Sequence, residues 1–438
     1  MIAITSFAAA QAYLLGTIDE VVSPRTSYKL DRMKALLRNM GDPHRAYPTI
    51  HVGGTSGKGS TATMIAAALQ ASGKKTGLHT KPHLYSMTER ACIDGEPVAE
   101  ERFVRLLDAA MPAIERTTAE YGRPTYYETL LALAFAYFAA ERVDVAAIEV
   151  GLGGRLDGTN VLEPVVAAIT SVGYDHVEIL GDSIEAIALE KAGIAKRGVP
   201  LVVGSVPESA REVIERYAAT VEAPVVLVRD VVKLAVQKSG AQGATLALQT
   251  ASAAYNLELS VLGIFQRTNA ATAIAVLERL GSLRPDVQAI HRAFRALSIP
   301  GRMEMVAGNP PVVFDIAHNV EKAEALVASL RESFGGRRVH YVVSIGESKD
   351  ARRILEVLSK VSSTFTFTAY STVGRRAIPA SRLSTIAESF GSWGRAISDP
   401  VEALTIARRI AAIDDVVVVT GSTFIVAGLR EWFVPARV

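Results

Sequence analysis

The stretch VGGTSGKGST, residues 52–61, decides the fold of this chain. The apolar run PTIHVGG that leads into it predicts a β-strand, and MIAAALQASG just beyond it predicts an α-helix. A strand, a glycine-rich turn, a lysine, a hydroxyl and a helix in this order are typical of a phosphate-binding loop. The sequence therefore predicts that the chain binds ATP.

The loop divides this work among a few residues. Gly54 and Gly57 allow the sharp turn that brings backbone N–H groups close to an anion. Lys58 adds a mobile positive charge for the terminal phosphates, and Ser60 offers a hydroxyl to Mg²⁺, with Thr61 as the neighbouring candidate. The predicted ATP-binding residues of the loop are Gly54, Thr55, Ser56, Gly57, Lys58, Gly59, Ser60 and Thr61.

The spacing differs from the common pattern G-x-x-x-x-G-K-[ST]. Val52 stands where the first glycine is usual, and Gly59 separates Lys58 from the hydroxyl. The motif is the shorter G-T-x-G-K-x-S, which taken alone is also compatible with a glycine-rich turn that binds no ligand.

Composition narrows the class of protein. The chain has 438 residues, enough for two domains, with 49% hydrophobic and 21% charged residues. A formal net charge of +2 gives no reason to expect a nucleic acid or an anionic membrane as partner. The lone cysteine, Cys92, rules out an internal disulfide, and the N-terminus lacks a basic leader. We expect a cytoplasmic protein and, without a zipper-like stripe, a monomer.

The order of predicted elements indicates an α/β protein. Apolar runs such as VDVAAIEVG and VVAAITSVG alternate with helices predicted at 27–40, 100–120, 126–141, 183–196 and 266–281. Such runs favour a parallel sheet covered on both faces. Residues 84–98 predict a long functional loop, and residues 225–262 a small antiparallel element. We place a boundary near Ser298–Gly301, giving domains 1–298 and 299–438, the second a smaller α/β sheet domain without a dinucleotide fingerprint.

Glu149 ends an otherwise apolar strand in AAIEVGLGGRLDGTN. A carboxylate buried alone is costly, and a magnesium ion would remove that cost. The glycines that follow keep the turn open, and Asp157 and Asn160 offer polar groups to a substrate. The competing interpretation is a helix-capping or salt-bridged acid.

Two further polar pairs follow in the same domain. Asp175 and His176 come after a buried strand, and a neutral imidazole can bind a metal, although a lone histidine is more often structural. Lys191, after Glu190, suits a metal centre if carbon dioxide carbamylates its amine, because this converts a cation into a carboxylate-like ligand. The plain alternative is a solvent-facing helix lysine.

The second domain carries Arg302 in IPGRMEMV, and Asp315 and His318 in FDIAHNV. Arg302 could clamp a phosphate, and Asp315 could hold a ribose or base edge. Each could equally be a cap or an interdomain salt bridge. Because no Ser/His/Asp nucleophile stands out, the set favours metal-assisted phosphoryl transfer.

Taken in order, these segments resemble the folylpolyglutamate synthase/dihydrofolate synthase family, within the Mur ligase superfamily. The matching pieces span residues 27–430 and include HVGGTSGKGS, HTKPHLYSMTERACIDGEP, TYYETLLALAFAYFA, EVGLGGRLDGTN, ITSVGYDHVEILG, EKAGIAK, QRTNAATA, PGRMEMV, DIAHN and VVVVTGS. The resemblance implies a P-loop-containing Mur-ligase-like ATPase domain followed by a smaller Rossmann-like α/β domain, and closure of the two over ATP.

The resemblance also implies an activity: ATP-dependent formation of an amide between L-glutamate and a pterin carboxylate through an acyl phosphate. The implied catalytic residues are Lys58, Glu149, His176 and Lys191. The implied metal ligands are Ser60 and Glu149 for one Mg²⁺ and His176 and carbamylated Lys191 for a second. Further nucleotide contacts are Gln266, Asn269, Arg302, Asp315 and His318, and the substrate residues are Lys81, Pro82, His83, Asp157 and Asn160.

Several positions depart from the family pattern, among them Ser56 for Asn, Lys81 for Ser, Phe265 for His, Ile299 for Trp and Val320 for Pro. Met87 and Thr88 also differ in the 80–90 loop. The loop changes bear on the acceptor. Three readings stay open within the family: glutamate addition to dihydropteroate, extension of reduced folates, or both. There are two alternatives. One is a Mur-type ligase that acts on a different carboxylate acceptor, and the other is a nucleotide-binding module that catalyses no ligation.

Overall fold

The computed structural model describes residues 4–18, 30–306, 308–361, 363–372 and 375–433. The helices are α1 Phe7–Leu15, α2 Leu30–Asn39, α3 Lys58–Ala71, α4 Glu100–Tyr121, α5 Tyr126–Ala140, α6 Val177–Leu180, α7 Ile184–Ala192, α8 Glu208–Thr220, α9 Val228–Val231, α10 Phe265–Leu277, α11 Val287–Arg295, α12 Val320–Phe334, α13 Ala351–Leu358, α14 Ala380–Glu388, α15 Pro400–Ile410 and α16 Thr423–Arg430. Within the described ranges, no helix is both long and apolar enough to cross a membrane.

The strands are β1 Thr49–Gly53, β2 Thr76–His79, β3 Cys92–Ile93, β4 Glu96–Pro97, β5 Val145–Glu149, β6 Val166–Ser171, β7 Leu201–Ser205, β8 Val225–Leu227, β9 Lys233–Gly240, β10 Gly243–Gln249, β11 Ala254–Leu259, β12 Glu304–Val306, β13 Val312–Phe314, β14 Val339–Val343, β15 Ser363–Phe367, β16 Ser371–Thr372, β17 Arg375–Arg376, β18 Gly394–Ala396 and β19 Val416–Thr420.

Contacts divide the chain into two units. One comprises residues 1–235, 247–256 and 268–294, and the other residues 236–246, 257–267 and 295–438. The boundaries 1–298 and 299–438 stay a prediction, since the division by contacts is discontinuous along the chain.

The first unit is built on an eight-stranded sheet in the order β4-β3-β2-β5-β1-β6-β7-β8. Strands β2, β5, β1, β6, β7 and β8 run parallel, and β3 and β4 add an antiparallel edge. One apolar cluster includes Leu36, Phe135 and Ile148, and another includes Ile169, Ile187 and Val203. These strand pairings confirm the predicted parallel sheet, and in both apolar clusters helical residues pack against its strands.

The second unit contains a six-stranded sheet in the order β12-β13-β19-β14-β15-β18. All neighbours in it are parallel except β12, which pairs antiparallel with β13. Its core includes Val313, Tyr341 and Val418, all fully buried. This sheet is the predicted smaller α/β sheet of the C-terminal part.

Most predicted helices form close to their expected limits, and the structure changes two details. The helix predicted at 27–40 is α2, and residues 27–29 lie outside the described part. The predicted antiparallel element at 225–262 is wrong at its start, because Val225–Leu227 pairs in parallel with β7 and only β9–β11 form a separate three-stranded sheet. The predicted long loop at 84–98 contains β3 and β4, which continue the large sheet.

Candidate active site

The phosphate-binding loop connects β1 to α3, as predicted. Gly54 has φ +137°, and a Cβ there would lie 2.1 Å from the Thr170 Oγ1. Gly57 has φ +83°, and a Cβ there would lie 2.2 Å from the Asn269 Oδ1. Glycine is required at both positions, because a side chain would clash and because this backbone region is unfavourable for other residues. Asn269, a predicted nucleotide contact, therefore packs directly against the loop.

The carboxyl end of β6 holds the loop in shape. Thr170 Oγ1 donates to the Ser56 carbonyl at 2.6 Å, and Ser171 Oγ accepts from the Ser56 N–H at 2.9 Å. The Thr55 N–H donates to the Ser171 carbonyl at 2.8 Å. Sequence reasoning missed Thr170 and Ser171. The available signal was two hydroxyls that end the strand ITSVG, beside the strand that carries the loop.

The loop cation and the two hydroxyl candidates occupy different environments. Lys58 Nζ donates to the Thr55 carbonyl at 3.1 Å, so its ammonium group lies over the loop. Ser60 is 5% exposed, whereas Thr61 is fully buried and its Oγ1 has no hydrogen-bond partner among the described residues. Ser60 is thus the better placed of the two hydroxyls to reach an ion.

Glu149 ends β5, next to β1 in the sheet, and is 3% exposed. Its Oε2 accepts from the Lys81 N–H at 2.9 Å and would lie 3.0 Å from a Cβ on Gly59. In the described part of the chain, no hydrogen bond to its Oε1 is formed. A buried carboxylate with one oxygen available, beside the first turn of α3 and Ser60, suits a hard divalent cation.

The two residues predicted to hold a second metal ion lie at the start of α6 and within α7. His176 caps the short helix α6, and its side chain is 43% exposed, 3.7 Å from the Glu178 carboxylate. Lys191 lies in α7 and is 3% exposed, so it is not the solvent-facing lysine of the plain alternative. Its neighbour Glu190 forms an ion pair with Arg155, with 2.8 Å between Oε1 and Nη2. No group of three or more His, Cys, Asp or Glu side chains suited to a metal occurs in the described ranges.

The predicted substrate loop is joined to Glu149 through Lys81 and is ordered by two residues that sequence reasoning did not name. Glu89 accepts hydrogen bonds from three consecutive backbone N–H groups at residues 84–86, at 2.8–2.9 Å. Arg90 Nε donates to His83 Nδ1 at 3.0 Å, and burial, then Arg90, lowers the pKa of His83 to about 4. The capping-box spacing Ser86-x-x-Glu89 was the available signal for Glu89. Pro82, between Lys81 and His83, is exposed.

Asp157 and Asn160 serve the turn itself. Asp157 accepts from the Leu152 N–H at 2.7 Å, the Thr159 hydroxyl at 2.6 Å and the Tyr127 hydroxyl at 3.1 Å. Burial, and then the Asp157 charge, raise the pKa of Tyr127. Asn160 Nδ2 donates to the carbonyls of residues 155 and 193, both at 2.9 Å. Their roles as substrate ligands stay predictions. The Asp157 carboxylate has partners within the chain, whereas the buried Oδ1 of Asn160 has none among the described residues.

The second unit brings three predicted nucleotide ligands to the carboxyl end of β13. Asp315 accepts from the backbone N–H groups of Met303 and residue 317, both at 2.9 Å. Burial raises its pKa, and nearby Arg302 opposes the shift. Burial, then Lys322, lowers the pKa of His318 to about 4, and its Nε2 lies 3.3 Å from the Lys322 Nζ. Gln266, at the start of α10, is fully buried.

Comparison with known proteins accounts for this arrangement. The Mur ligase middle domain matches residues 52–277, and the glutamate ligase domain of Mur ligases matches residues 301–423. A dihydrofolate synthase/folylpolyglutamate synthase of Bacillus subtilis is 33% identical over 98% of this chain and 99% of its own. The chain belongs to the folylpolyglutamate synthase/dihydrofolate synthase family. It is an ATP-dependent glutamate ligase of this family, and the predicted Mur-ligase-like α/β fold is confirmed.

Solved structures of family members have the same fold. A folylpolyglutamate synthase from Thermotoga maritima gives a TM-score of 0.88 at 31% identity, covering 98% of this chain and 97% of that one. Escherichia coli FolC in complex with DHPP and ADP gives 0.87 at 29%, covering 99% and 98%. A bifunctional enzyme from Yersinia pestis, complexed with AMPPNP and a Mn ion, gives 0.84 at 30%, covering 99% of both chains.

Proposed function

We propose that this ligase adds L-glutamate to the carboxylate of a pterin acceptor, dihydropteroate, a reduced folate or both. The carrying observation is the position of Glu149. Its carboxylate lies against the first turn of the phosphate-binding helix at Gly59 and accepts a hydrogen bond from the substrate loop at Lys81. One group thus links the place for phosphate with the place for the acceptor.

The residues beside the loop fit one magnesium ion. Ser60 and Glu149 would hold it, and when bound it would offset the negative charge that develops on the transferred phosphoryl group. Lys58 would neutralise charge on the same phosphates, and the N–H groups of the turn at Gly57 would donate to them.

The chemistry has two steps. An acceptor carboxylate oxygen attacks the γ-phosphorus of ATP, the bond from that phosphorus to the bridging oxygen of ADP breaks, and an acyl phosphate forms. The amine of glutamate then attacks the acyl carbon and loses a proton. The tetrahedral intermediate collapses to an amide as phosphate leaves. Lys58 is the residue best placed to follow the charge, because its flexible stem already reaches over the loop.

We further propose that His176 and Lys191 hold a second metal ion, with Lys191 carbamylated. The burial of Lys191 supports this proposal, because a buried charge is costly and a carbamate bound to metal cations would offset part of that cost. Arg302, Asp315 and His318 are proposed as nucleotide ligands of the second unit, with Gln266 and Asn269 as further contacts.

The test is glutamate-dependent phosphate release from ATP and Mg²⁺, with dihydropteroate and tetrahydrofolate supplied separately and products identified by mass. We expect a gain of one glutamyl unit on at least one acceptor. Glu149→Gln should lower kcat by about 100-fold or more, because it removes the negative charge proposed to hold the Mg²⁺ ion. The matched control is Glu212→Gln on α8, an exposed carboxylate of the same unit, which should leave kcat unchanged.

A second candidate is ligation of glutamate to a different carboxylate. Lys81 favours it, because this position places a cation in the substrate loop where its backbone N–H contacts Glu149. An acceptor with an additional negative charge would suit such a loop. If neither pterin supports glutamate-dependent phosphate release and another carboxylic acid from a panel does, this alternative is established and the first proposal is contradicted.

We also propose that the enzyme is a cytoplasmic monomer. The single, half-buried Cys92 is compatible with a reducing compartment, and burial raises the pKa of its thiol to about 12, which keeps it unreactive. Light scattering coupled to size exclusion should give one chain per particle, and a mass of two chains would contradict the proposal.

A further inference from the structure

The first unit has a cavity of about 460 Å³ on the edge of the sheet opposite the phosphate-binding loop. Its wall comes from α2, from the turn before β1, and from the segments that precede β6 and β7. The loop at Gly54–Gly57 follows the carboxyl end of β1, so the five residues of that strand separate the two places by about 16 Å. The cavity is therefore not part of the nucleotide site.

Positive charge dominates the lining of this cavity. Among the described residues, the lining has four cations, Lys34, Arg38, Arg45 and Lys196, and two carboxylates, Asp42 and Glu163. The arithmetic leaves a formal excess of two positive charges. Lys34 and Arg38 are one helical turn apart on α2, so they project from the same side of the helix.

Most of these charges have no ion-pair partner in the part of the chain that the structure describes. In the ranges that the structure describes, the side chains of Lys34, Arg38 and Arg45 form no hydrogen bond and no ion pair. Lys196 Nζ donates to the Asn160 carbonyl at 3.0 Å, and this single bond leaves two of its N–H donors available. Burial lowers the pKa of Lys196. The charge of Glu163 opposes this shift and the charge of Lys34 adds to it, so Lys34 is close enough to repel Lys196.

We propose that this cavity is a second anion-binding site that takes a small polyanion carrying two or more phosphate or carboxylate groups. Its volume is in the range of small-molecule pockets. Arginine forks and lysine ammonium groups are the side chains that bind both kinds of anion. A ligand with at least two negative charges would offset the excess charge and relieve the repulsion between Lys34 and Lys196. The proposal does not depend on the acceptor of the ligase.

The test is calorimetric titration of the full chain in metal-free buffer at low salt. All proteins carry Lys58→Ala, which weakens binding of the probes at the phosphate-binding loop, and any binding that the loop retains is the same in every protein compared. The probes are tripolyphosphate and propane-1,2,3-tricarboxylate, each used alone. Binding of one probe only identifies its chemical class, and binding of both identifies recognition by charge.

Variants link the binding to the cavity. Lys34→Gln combined with Arg38→Gln should weaken binding about tenfold, and Glu163→Gln should strengthen it severalfold. The control combines Lys233→Gln with Arg105→Gln, again one lysine and one arginine, both exposed and outside the cavity, and should bind like the parent. Unchanged thermal midpoints will show that the variants fold, since the substituted residues of both pairs are exposed.

Two results would overturn the proposal. One is the absence of binding by either probe at millimolar concentration in the parent. The other is equal weakening in the cavity pair and the control pair, which would mean diffuse attraction by surface charge.

Discussion

Replacing Gly59 with alanine should separate stability from activity. Gly59 is the second residue of α3, and a Cβ there would lie 3.0 Å from Oε2 and 3.5 Å from the carboxyl carbon of Glu149. An unstrained contact lies at about 3.5 Å, so the carboxylate has to move by about half an ångström. That movement lengthens the hydrogen bond from the Lys81 N–H, now 2.9 Å, and shifts the group proposed to hold Mg²⁺.

The expected effects have opposite signs. A displacement of about 1 Å at a catalytic group costs roughly 100-fold in rate, so half that movement should lower kcat by about 10-fold or more. This corresponds to about 1.4 kcal/mol or more of transition-state stabilisation. Alanine in place of glycine in a helix adds up to about 1 kcal/mol to the free energy of unfolding, which the strained contact at Gly59 reduces.

The assay is steady-state phosphate release as a function of Mg²⁺, alongside urea unfolding. The control is Gly428→Ala in α16, where an added Cβ meets nothing within 4 Å, so stability should rise without loss of kcat. Gly59→Ala should lower kcat and raise the Mg²⁺ concentration needed for half-maximal activity. Unchanged kcat and Mg²⁺ dependence in Gly59→Ala would refute the placement of Glu149 as the metal-holding carboxylate.

Three other outcomes are expected. Lys191→Ala should lose about 100-fold or more in kcat and recover part of it with a short carboxylate, whereas full activity without rescue would rule out carbamylated Lys191. Burial lowers the pKa of His51 to about 4. As the pH falls from about 6.5 to about 4, only the unfolded chain binds this proton, so the free energy of unfolding should drop by up to about 3 kcal/mol. Urea unfolding midpoints measured against pH test this, and their pH dependence should flatten in His51→Gln. Glu304→Gln leaves the buried guanidinium of Arg430, now 2.6 Å away, without its carboxylate and should lower the free energy of unfolding by about 3 kcal/mol. The control is Glu356→Gln, which removes a partly exposed partner of Arg352 and should cost less than about 0.5 kcal/mol.

Local sequence was sufficient for most of the elements and for the glycine-rich turn at the centre of the candidate site. A glycine at φ +83° leaves a pattern that can be recognised in the chain, and Gly57 was predicted for this reason. Glu149 was recognised because a carboxylate stands out at the end of an apolar strand. Both signals are local, since they depend on the residues immediately before and after.

The supports of the site were not predictable in the same way. Thr170 and Ser171 hold the phosphate-binding loop from 114–117 residues further along the chain. In the sequence these two residues look like ordinary strand residues. Their hydroxyls lie beside the loop because β1 pairs with β6. The same is true of the contact between Asn269 and Gly57, which depends on where α10 packs.

Asp157 shows what local sequence leaves open, since its role as a substrate ligand stays a prediction. Its polar character and its glycine-rich surroundings indicated a substrate ligand, and in the structure its carboxylate accepts hydrogen bonds from Leu152, Tyr127 and Thr159. A polar residue near a site can serve the ligand or the turn that carries it. Composition does not distinguish these roles, because the distinction lies in which donors the fold brings within 3 Å.

The sequence by itself determined the phosphate-binding loop, the alternation of strands and helices, and the acid at the end of β5, because each depends on backbone preference or apolar pattern over a few residues. Tertiary structure alone decided which oxygen of Glu149 is engaged, that Lys191 is buried, and that the cations Lys34, Arg38 and Lys196 line one cavity. Those facts depend on distances between segments far apart in the chain. Sheet register and helix packing set such distances, and no local pattern records them.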